Sequence, residues 1–313
     1  MRILVTGGAG FIGSHIAERL LELGHHVVVL DDLSTGREEN IPGGVEFVKG
    51  DITDRQLVSE LMDDGRFDVV NHHAAQMDVR RSVEDPTFDA RVNILGILNL
   101  LQCSIKGGVK KFMFASTGGA VYGEQARYPA DEDHPTRPVS PYGISKLAGE
   151  GYLFYYRIQC GLQTVIMRYA NIYGPRQNPF GEAGVVAIFS HKLAQDEQVT
   201  IHGDGLQTRD YVYIEDVVTA NLLALDNADS ITFNVGSGIE TDVVTLYKHL
   251  AKAAGTDLPP RHGPPKPGEQ RRSSISPQFA YESLGWRPKV PLAEGLARTF
   301  HSFITADGRQ TSG

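Results

Sequence analysis

The sequence predicts an α/β fold, a Rossmann-type doubly wound parallel sheet with a smaller C-terminal α/β lobe for substrate. Three observations carry that expectation. Short apolar runs alternate with helical stretches up to about Met167, the rhythm of a parallel sheet covered on both faces. A glycine-rich segment links the first strand to the first helix, and an acidic pair closes the second strand. With 313 residues the chain exceeds one ordinary domain and has the length for a sizeable core plus an appended unit. The expected division is a dinucleotide-binding domain over residues 1–172, with a returning segment near 213–240, and a substrate lobe from 173–212 and 241–313.

Met1 to Thr6 reads as a buried strand running into Gly7-Gly8-Ala9-Gly10-Phe11-Ile12-Gly13. The helix that follows has Ile12, Ile16, Leu20 and Leu23 at spacings of three or four, and Gly24 stops it. Between strand and helix, Gly7 permits a tight turn, Gly10 lets backbone approach a pyrophosphate, and Gly13 allows close helix packing, with the helix N-terminus facing the anion. Phe11 and Ile12 belong to the same cofactor-binding segment. The spacing is Gly-x-x-Gly-x-x-Gly, not the Gly-x-Gly-x-x-Gly of most dinucleotide dehydrogenases.

His25 to Leu30 is the second strand, and Asp31-Asp32 follow it. A carboxylate there accepts hydrogen bonds from the adenosine ribose hydroxyls and repels a 2′-phosphate, which favours NAD over NADP; Asp31 is the first choice. Val45 to Val48 forms a third apolar segment, closed by Gly50-Asp51-Ile52, where an adenine edge could be read, Asp51 being the weaker candidate. Val69 to Ala75 is a fourth strand and its end, whose small Ala74 and Ala75 let a cofactor pass close to backbone. His72 and His73 read as packed or solvated residues and not as metal ligands, and without a second ligand cluster no metal is expected. Helices are expected over Asp54 to Asp63, Phe88 to Ile105 and Ser145 to Gln159, with strands over Lys111 to Ala115 and Thr164 to Arg168. After Asn171 the segment Gly174 to Pro179 reads as irregular, Pro259 to Pro267 as a proline-rich loop, and Thr305 to Gly313 as a frayed end.

A net charge of −8 with both signs interspersed leaves no basic stripe for nucleic acid and no polybasic membrane segment. An anionic nucleotide must therefore be met locally, by helix ends and single arginines. Cys103 and Cys160 make no disulfide framework and have no ligand spacing, which suits a reducing interior. The first apolar run is interrupted by glycines and is not a signal peptide, and no stretch is long enough to span a bilayer, so the cytoplasm is expected.

Tyr142 and Lys146, four residues apart, share one face of a helix. An ammonium near the phenol favours its ionised form and so a base near neutral pH. Taken together and in order, the glycine motif, Asp31, Asn71 to Ala75, Ser116-Thr117, Ser140-Pro141-Tyr142-Gly143-Ile144-Ser145-Lys146 and Arg168-Tyr169-Ala170-Asn171 carry a resemblance. The chain resembles the extended short-chain dehydrogenases/reductases and, within them, the NAD-dependent nucleotide-sugar epimerases that interconvert UDP-glucose and UDP-galactose. The likeness runs from Met1 to about Phe303.

The resemblance implies a tightly held NAD, a C-terminal lobe gripping a UDP-hexose, and a homodimer. It makes Tyr142 the base at the hydroxyl of sugar carbon 4 while hydride leaves that carbon for the nicotinamide. Lys146 then holds the nicotinamide ribose and lowers the tyrosine pKa, and Thr117 hydrogen-bonds the sugar oxygen. The 4-ketose rotates and takes the hydride back on its other face. The same likeness assigns Asn171 and Arg209 to the diphosphate, where a guanidinium fork suits phosphate oxygens, and gives Asp216 a structural join. Lys266-Pro267-Gly268-Glu269 resembles an Arg-x-Gly-Asp/Glu element, with Glu269 on the uridine ribose and Lys266 on phosphate without arginine's planar fork. Ser273 stands where a bulky aromatic would close the pocket to N-acetyl groups, so UDP-GlcNAc and UDP-GalNAc are expected to fit as well.

One departure concerns Gly118, which occupies the place of the usual serine or threonine four residues before Tyr122. Thr117 lies one residue early, and Gly118-Gly119 are expected to let the backbone turn through conformations closed to other residues so that Thr117 supplies the hydroxyl, with Ser116 as fallback. The same glycines speak against a dehydratase, which carries an Asp-Glu pair there, and against a UDP-glucuronate decarboxylase. Two rivals stay open: a UDP-glucuronate 4-epimerase, with Arg80 or Arg81 on the sugar carboxylate, and a non-catalytic NAD-binding regulator.

Overall fold

The structure is a computed structural model and describes residues 1–180, 184–266, 268 and 270–310. Along the chain, β1 (Arg2–Thr6) leads into α1 (Phe11–Glu22), then β2 (His26–Asp31), β3 (Glu46–Lys49) and α2 (Arg55–Gly65), whose N-cap Asp54 accepts from the amides of Gln56 and Leu57. After β4 (Val69–His72) come α3 (Val79–Glu84) and α4 (Pro86–Ala90), each started by an aspartate cap, Asp78 and Asp85. A π-helical turn at Arg91–Leu95 joins α4 to α5 (Gly96–Lys106), so the helix expected over Phe88 to Ile105 carries one wide turn inside it. Next are β5 (Lys111–Thr117), the one-turn α6 (Gly118–Val121) and α7 (Pro141–Cys160), capped by Ser140 with Pro141 at its first turn and ended by left-handed Gly161.

The chain continues through β6 (Gln163–Tyr169), β7 (Asn171–Tyr173), α8 (Val185–Ala194), β8 (Thr200–His202), β9 (Thr208–Tyr213), α9 (Ile214–Asn227), β10 (Ile231–Val235), β11 (Glu240–Asp242), α10 (Val243–Ala254), β12 (Arg261–Gly263), α11 (Gln278–Leu284) and α12 (Leu292–Gln310).

Seven parallel strands form the main sheet in the order β10-β6-β5-β4-β1-β2-β3. Strand residues alternate between two cores. Ile3, Val5, Val27, Val29, Met113 and Val165 pack with α1 and α9 on one face, and Leu4, Val28, Leu30, Phe112, Phe114 and Ile166 pack with α2, α5 and α7 on the other. This period of two explains why the strands read as unbroken apolar runs, since both faces are buried. A three-stranded sheet, β11-β9-β7, and a two-stranded one, β12-β8, build the smaller lobe.

Several elements differ from expectation. β4 stops at His72, so Ala74 and Ala75 lie past the strand. Asn171–Tyr173, for which no strand was expected, is a strand because it pairs in parallel with β9. Within the proline-rich loop, Arg261–Gly263 pairs with β8, the Arg261 amide donating to the Val199 carbonyl at 2.9 Å. Of the end expected to fray, Thr305 to Gly313, the residues up to Gln310 continue α12, and residues 311–313 lie outside the described residues. Among the described residues no helix is long and apolar enough to cross a membrane, and no group of histidine, cysteine and carboxylate side chains could hold a metal ion.

Candidate functional site

The strand order reverses between β1 and β4, and a crevice outside the carboxyl ends of strands at such a switch point is where doubly wound sheets take their ligands. The glycine segment sits there. Gly7 has φ +70°, and a Cβ on it would overlap the backbone of Ala74 and His73. A Cβ on Gly13 would overlap the carbonyl of Gly7, so α1 approaches the turn at a distance that only glycine allows. Gly10 is the N-cap of α1 and brings no side chain to the first-turn amides, which face the crevice beside Phe11 and Ile12. These features fit a dinucleotide: a cradle closed to side chains, with amide donors at a helix end.

Asp31 completes this wall. It is 7% exposed, and its carboxylate accepts from the amides of Ala9 (3.0 Å) and Leu33 (2.8 Å), which fixes it beside the glycine turn; burial raises its pKa. Asp32 is exposed and closes a local turn onto the Ser34 amide. The Gly50 amide donates to the Asp31 carbonyl, bringing Asp51 and Ile52 alongside. The Asp51 carboxylate caps Thr53, and the Ile52 side chain turns into the core against Gly96. Behind Ala74 and Ala75, His72 accepts or donates with Thr6 Oγ1 at 2.7 Å and His73 meets the Tyr169 hydroxyl at 3.1 Å. Burial first, then the nearby Lys146 charge, pushes the His73 pKa down to about 3 and the same causes lower that of His72, so both histidines are neutral.

At the carboxyl ends of β5 and β6 stand the remaining groups. A Cβ on Gly119 would lie 3.8 Å from Thr117 Oγ1 and 4.0 Å from Asn171 Oδ1, which brings those two side chains to one open place. Neither Gly118 nor Gly119 has a positive φ; both are helical residues of α6. The expectation that they supply a glycine-only turn is therefore corrected: Gly118 lacks a side chain because Ile275 packs there, 2.7 Å from where its Cβ would be, and Gly119 leaves space next to Thr117.

Ser116 points to the other side of β5, as strand alternation requires. It is 2% exposed and donates to Glu150 at 2.5 Å. That hydroxyl is committed inside the protein, which corrects its standing as fallback for Thr117.

Tyr142 and Lys146 share a face of α7. The ammonium donates to the Ala115 carbonyl at 2.9 Å and lies 4.9 Å from the Phe114 ring centre and 5.9 Å from that of Tyr142. Burial lowers the Lys146 pKa to about 8, with Asp89 and Glu150 opposing. Burial, and then the Asp89 charge, raises the Tyr142 pKa. The expectation that the Tyr-Lys spacing alone makes a base near neutral pH is thus corrected, because desolvation of the phenolate outweighs an ammonium held toward Ala115.

In the smaller lobe, β7 sets Asn171 opposite Tyr211, two residues from Arg209 on β9, whose guanidinium donates to the Thr208 carbonyl. Asp216 makes the expected join, accepting from the amides of Lys289 and Val290 at 3.0 Å each. Lys266 is exposed and lines a depression of about 360 Å³ with His202, Asp204 and Arg271. Glu269 and Pro267 lie outside the described residues. Ser273 is 4% exposed, next to Ser274 and Ile275 in a buried stretch that Asp210 ties down by accepting from the Ile275 amide. Arg81 lies over the Phe88 ring at 4.1 Å. Sequence reasoning missed Asp89, Glu150 and Asp210, three buried carboxylates with no motif to mark them.

A doubly wound sheet with a side-chain-free dinucleotide cradle and a Tyr-Lys helix at its carboxyl edge defines a nucleotide-dependent enzyme of the short-chain dehydrogenase/reductase type. The chain belongs to the NAD dependent epimerase/dehydratase family, whose profile matches residues 3–236. It is 48% identical to the UDP-glucose 4-epimerase of Mycolicibacterium smegmatis over 97% of this chain and 98% of that one. Its structure is similar to UDP-glucose 4-epimerase of Thermotoga maritima with UDP-glucose, with TM-score 0.96, 48% identity and coverage of 98% and 99%. It is also similar to the Thermus thermophilus UDP-glucose 4-epimerase in complex with NAD, with TM-score 0.92, 47% identity and coverage of 98% and 100%.

Proposed function

We propose that the chain interconverts UDP-glucose and UDP-galactose with NAD held in the crevice between β1 and β4. The observation that carries the reading is the convergence of Thr117 and Asn171 around the open side of Gly119, beside the helix that bears Tyr142 and Lys146. Full-length similarity to UDP-glucose 4-epimerases supports the same substrate class.

Gly7, Gly10 and Gly13 with the α1 N-terminus would hold the pyrophosphate, and Asp31 the adenosine ribose. When bound, NAD supplies reversible hydride acceptance at sugar carbon 4. Tyr142 takes the proton from the hydroxyl on that carbon and returns it, and Thr117 holds the same oxygen by a hydrogen bond. Lys146 orients the cofactor ribose and places a positive charge near the phenol. Asn171 and Arg209 grip the diphosphate, so the hexose can turn about its link to phosphate while the nucleotide stays fixed. Turning at the 4-ketose stage presents the other face, and the proton and hydride return with the centre inverted and no net redox change. Purified protein incubated with a panel of UDP-sugars, without added NAD, should interconvert UDP-glucose and UDP-galactose by NMR. Absence of both products would end the reading, and turnover of UDP-glucuronate instead would favour the 4-epimerase of that sugar.

N-acetylated sugars are a second reading, carried by the small side chain at Ser273. Ser273→Tyr is expected to lower activity on UDP-GlcNAc relative to UDP-glucose by about tenfold or more, since a pocket that loses the space of a substituent rejects it. An unchanged ratio removes the reading. A cytoplasmic homodimer is proposed as the working form. Leu95, Ile144, Phe154, Tyr155 and Ile158, each more than half exposed at the start of α5 and along α7, make an apolar face that a second copy would cover. Sedimentation equilibrium should give twice the chain mass, and Phe154→Glu with Ile158→Glu should return it to one; a monomeric wild type sinks this proposal.

A further inference from the structure

Asp89, on α4, is completely buried, and three donors converge on its two carboxylate oxygens. Ser145 Oγ donates to Oδ2 at 2.6 Å, and Gln76 Nε2 and Asn93 Nδ2 both donate to Oδ1 at 3.0 Å. Each donor is itself anchored. The Asn93 side chain exchanges two hydrogen bonds with the Gln76 backbone, at 3.0 Å and 2.8 Å, and Gln76 Oε1 accepts from the Asp78 amide. Ser145 lies between Tyr142, three residues before it, and Lys146, immediately after it; Gln76 follows Ala75 directly. One anion therefore ties the turn of α7 that carries the Tyr-Lys pair to the chain that walls the cofactor crevice, through the π-helical turn that holds Asn93. A buried carboxylate fully used as an acceptor is a rigid point, and it is also a fixed negative charge in a medium of low dielectric.

We propose that Asp89 is a positioning residue for the epimerase reaction: through Ser145 it sets the stance of the Tyr142-Lys146 turn against the β4 end, next to a fixed carboxylate. The proposal rests on the reading of Tyr142 as the base. The charged and titratable groups facing the pair are Asp89 from α4, Glu150 from α7 itself and its partner Arg168 on β6, and His72 and His73 from the end of β4. The histidines are neutral, so Asp89 is the charge that opposes phenolate formation, and Asp89 together with Glu150, itself paired with Arg168, supports the ammonium.

Asp89→Asn is a clean probe. Its amide oxygen can keep the Gln76 and Asn93 bonds, and its NH2 can donate to a Ser145 hydroxyl that has simply rotated, so shape and bonding survive while the charge goes. In the NAD-bound protein, the ultraviolet phenolate signal that Tyr142→Phe removes should appear about one pH unit lower in Asp89→Asn than in the wild type. Both limbs of the pH profile of kcat/KM should move down together, because the same charge raises both pKa values. Ser145→Ala keeps the charge and cuts the link: kcat should fall about tenfold with the profile unmoved and KM little changed. An unshifted phenolate signal in Asp89→Asn, or full kcat in Ser145→Ala, overturns the proposal. The phenolate titration needs no turnover, so a wild type that holds NAD yet epimerises nothing would sink the functional reading separately.

Discussion

Tyr142→Phe is expected to reduce kcat by about 10³-fold while NAD stays bound through purification. The substitution removes one oxygen and little else. The α7 turn that bears it is held by other groups: the Tyr142 amide donates to Ser82 Oγ at 3.2 Å, Ser145 is held by Asp89, and the N-cap at Ser140 accepts from Gly143. Position and packing therefore persist, and what is lost is the group proposed to take the sugar proton. The proposed cofactor wall, Gly7, Gly13, Asp31 and the chain past β4, is held by contacts that do not involve the phenol. Turnover should be followed by NMR on UDP-galactose, and bound NAD by absorbance after gel filtration. Full activity in the variant would remove Tyr142 from its role, while loss of NAD together with activity would show that the ring mattered for binding.

The phenol also illustrates where sequence reading stops. Spacing placed Tyr142 and Lys146 on one helical face, and α7 bears this out, because Ser140, Pro141 and Gly161 are local signals that need no tertiary context. What spacing cannot supply is the balance of desolvation against charge. That balance depends on Asp89, more than fifty residues away in sequence, and on the strand carbonyl of Ala115 that claims the ammonium. The glycine segment was legible for the same local reason as the helix: Gly7 needs its left-handed φ and Gly13 its missing Cβ. Gly118 was read as needed for a glycine-only turn, and the cause is different, since the Ile275 side chain that occupies its space comes from a distant stretch of chain. Short strands such as β7 and β12 were missed because three residues carry no periodicity, and only their partners β9 and β8 make them strands. The seven-stranded sheet was legible because burial on both faces writes itself into each apolar run.

Glu150→Gln is expected to destabilise the protein by about 3–5 kcal/mol, the range for breaking a buried ion pair by removing one partner. The Arg168 guanidinium meets Glu150 through two bonds, Nε to Oε1 at 3.0 Å and an NH2 group to Oε2 at 2.7 Å, with both side chains less than a tenth exposed. Ser116 donates to the same carboxylate, and Arg168 reaches on to the Tyr122 hydroxyl at 3.0 Å, which in turn donates to Asn234 at 2.7 Å. Burial pushes Tyr122 up to about 12, so it remains a phenol and cannot neutralise the arginine. A glutamine in place of Glu150 would turn an NH2 group toward guanidinium donors and leave a positive charge without its counterpart. Because β5, β6, α7 and β10 all contribute to this network, the loss is global and should appear as a lower urea midpoint with an unchanged slope. The two proteins must carry the same NAD occupancy, since a ligand bound only to the folded state adds its own stabilisation. Glu150→Leu combined with Arg168→Met should recover much of the loss, because the penalty lies in the stranded charge and not in the absence of the pair. A loss below about 1 kcal/mol in Glu150→Gln would mean that water reaches Arg168 and that the network does not hold α7 against the sheet.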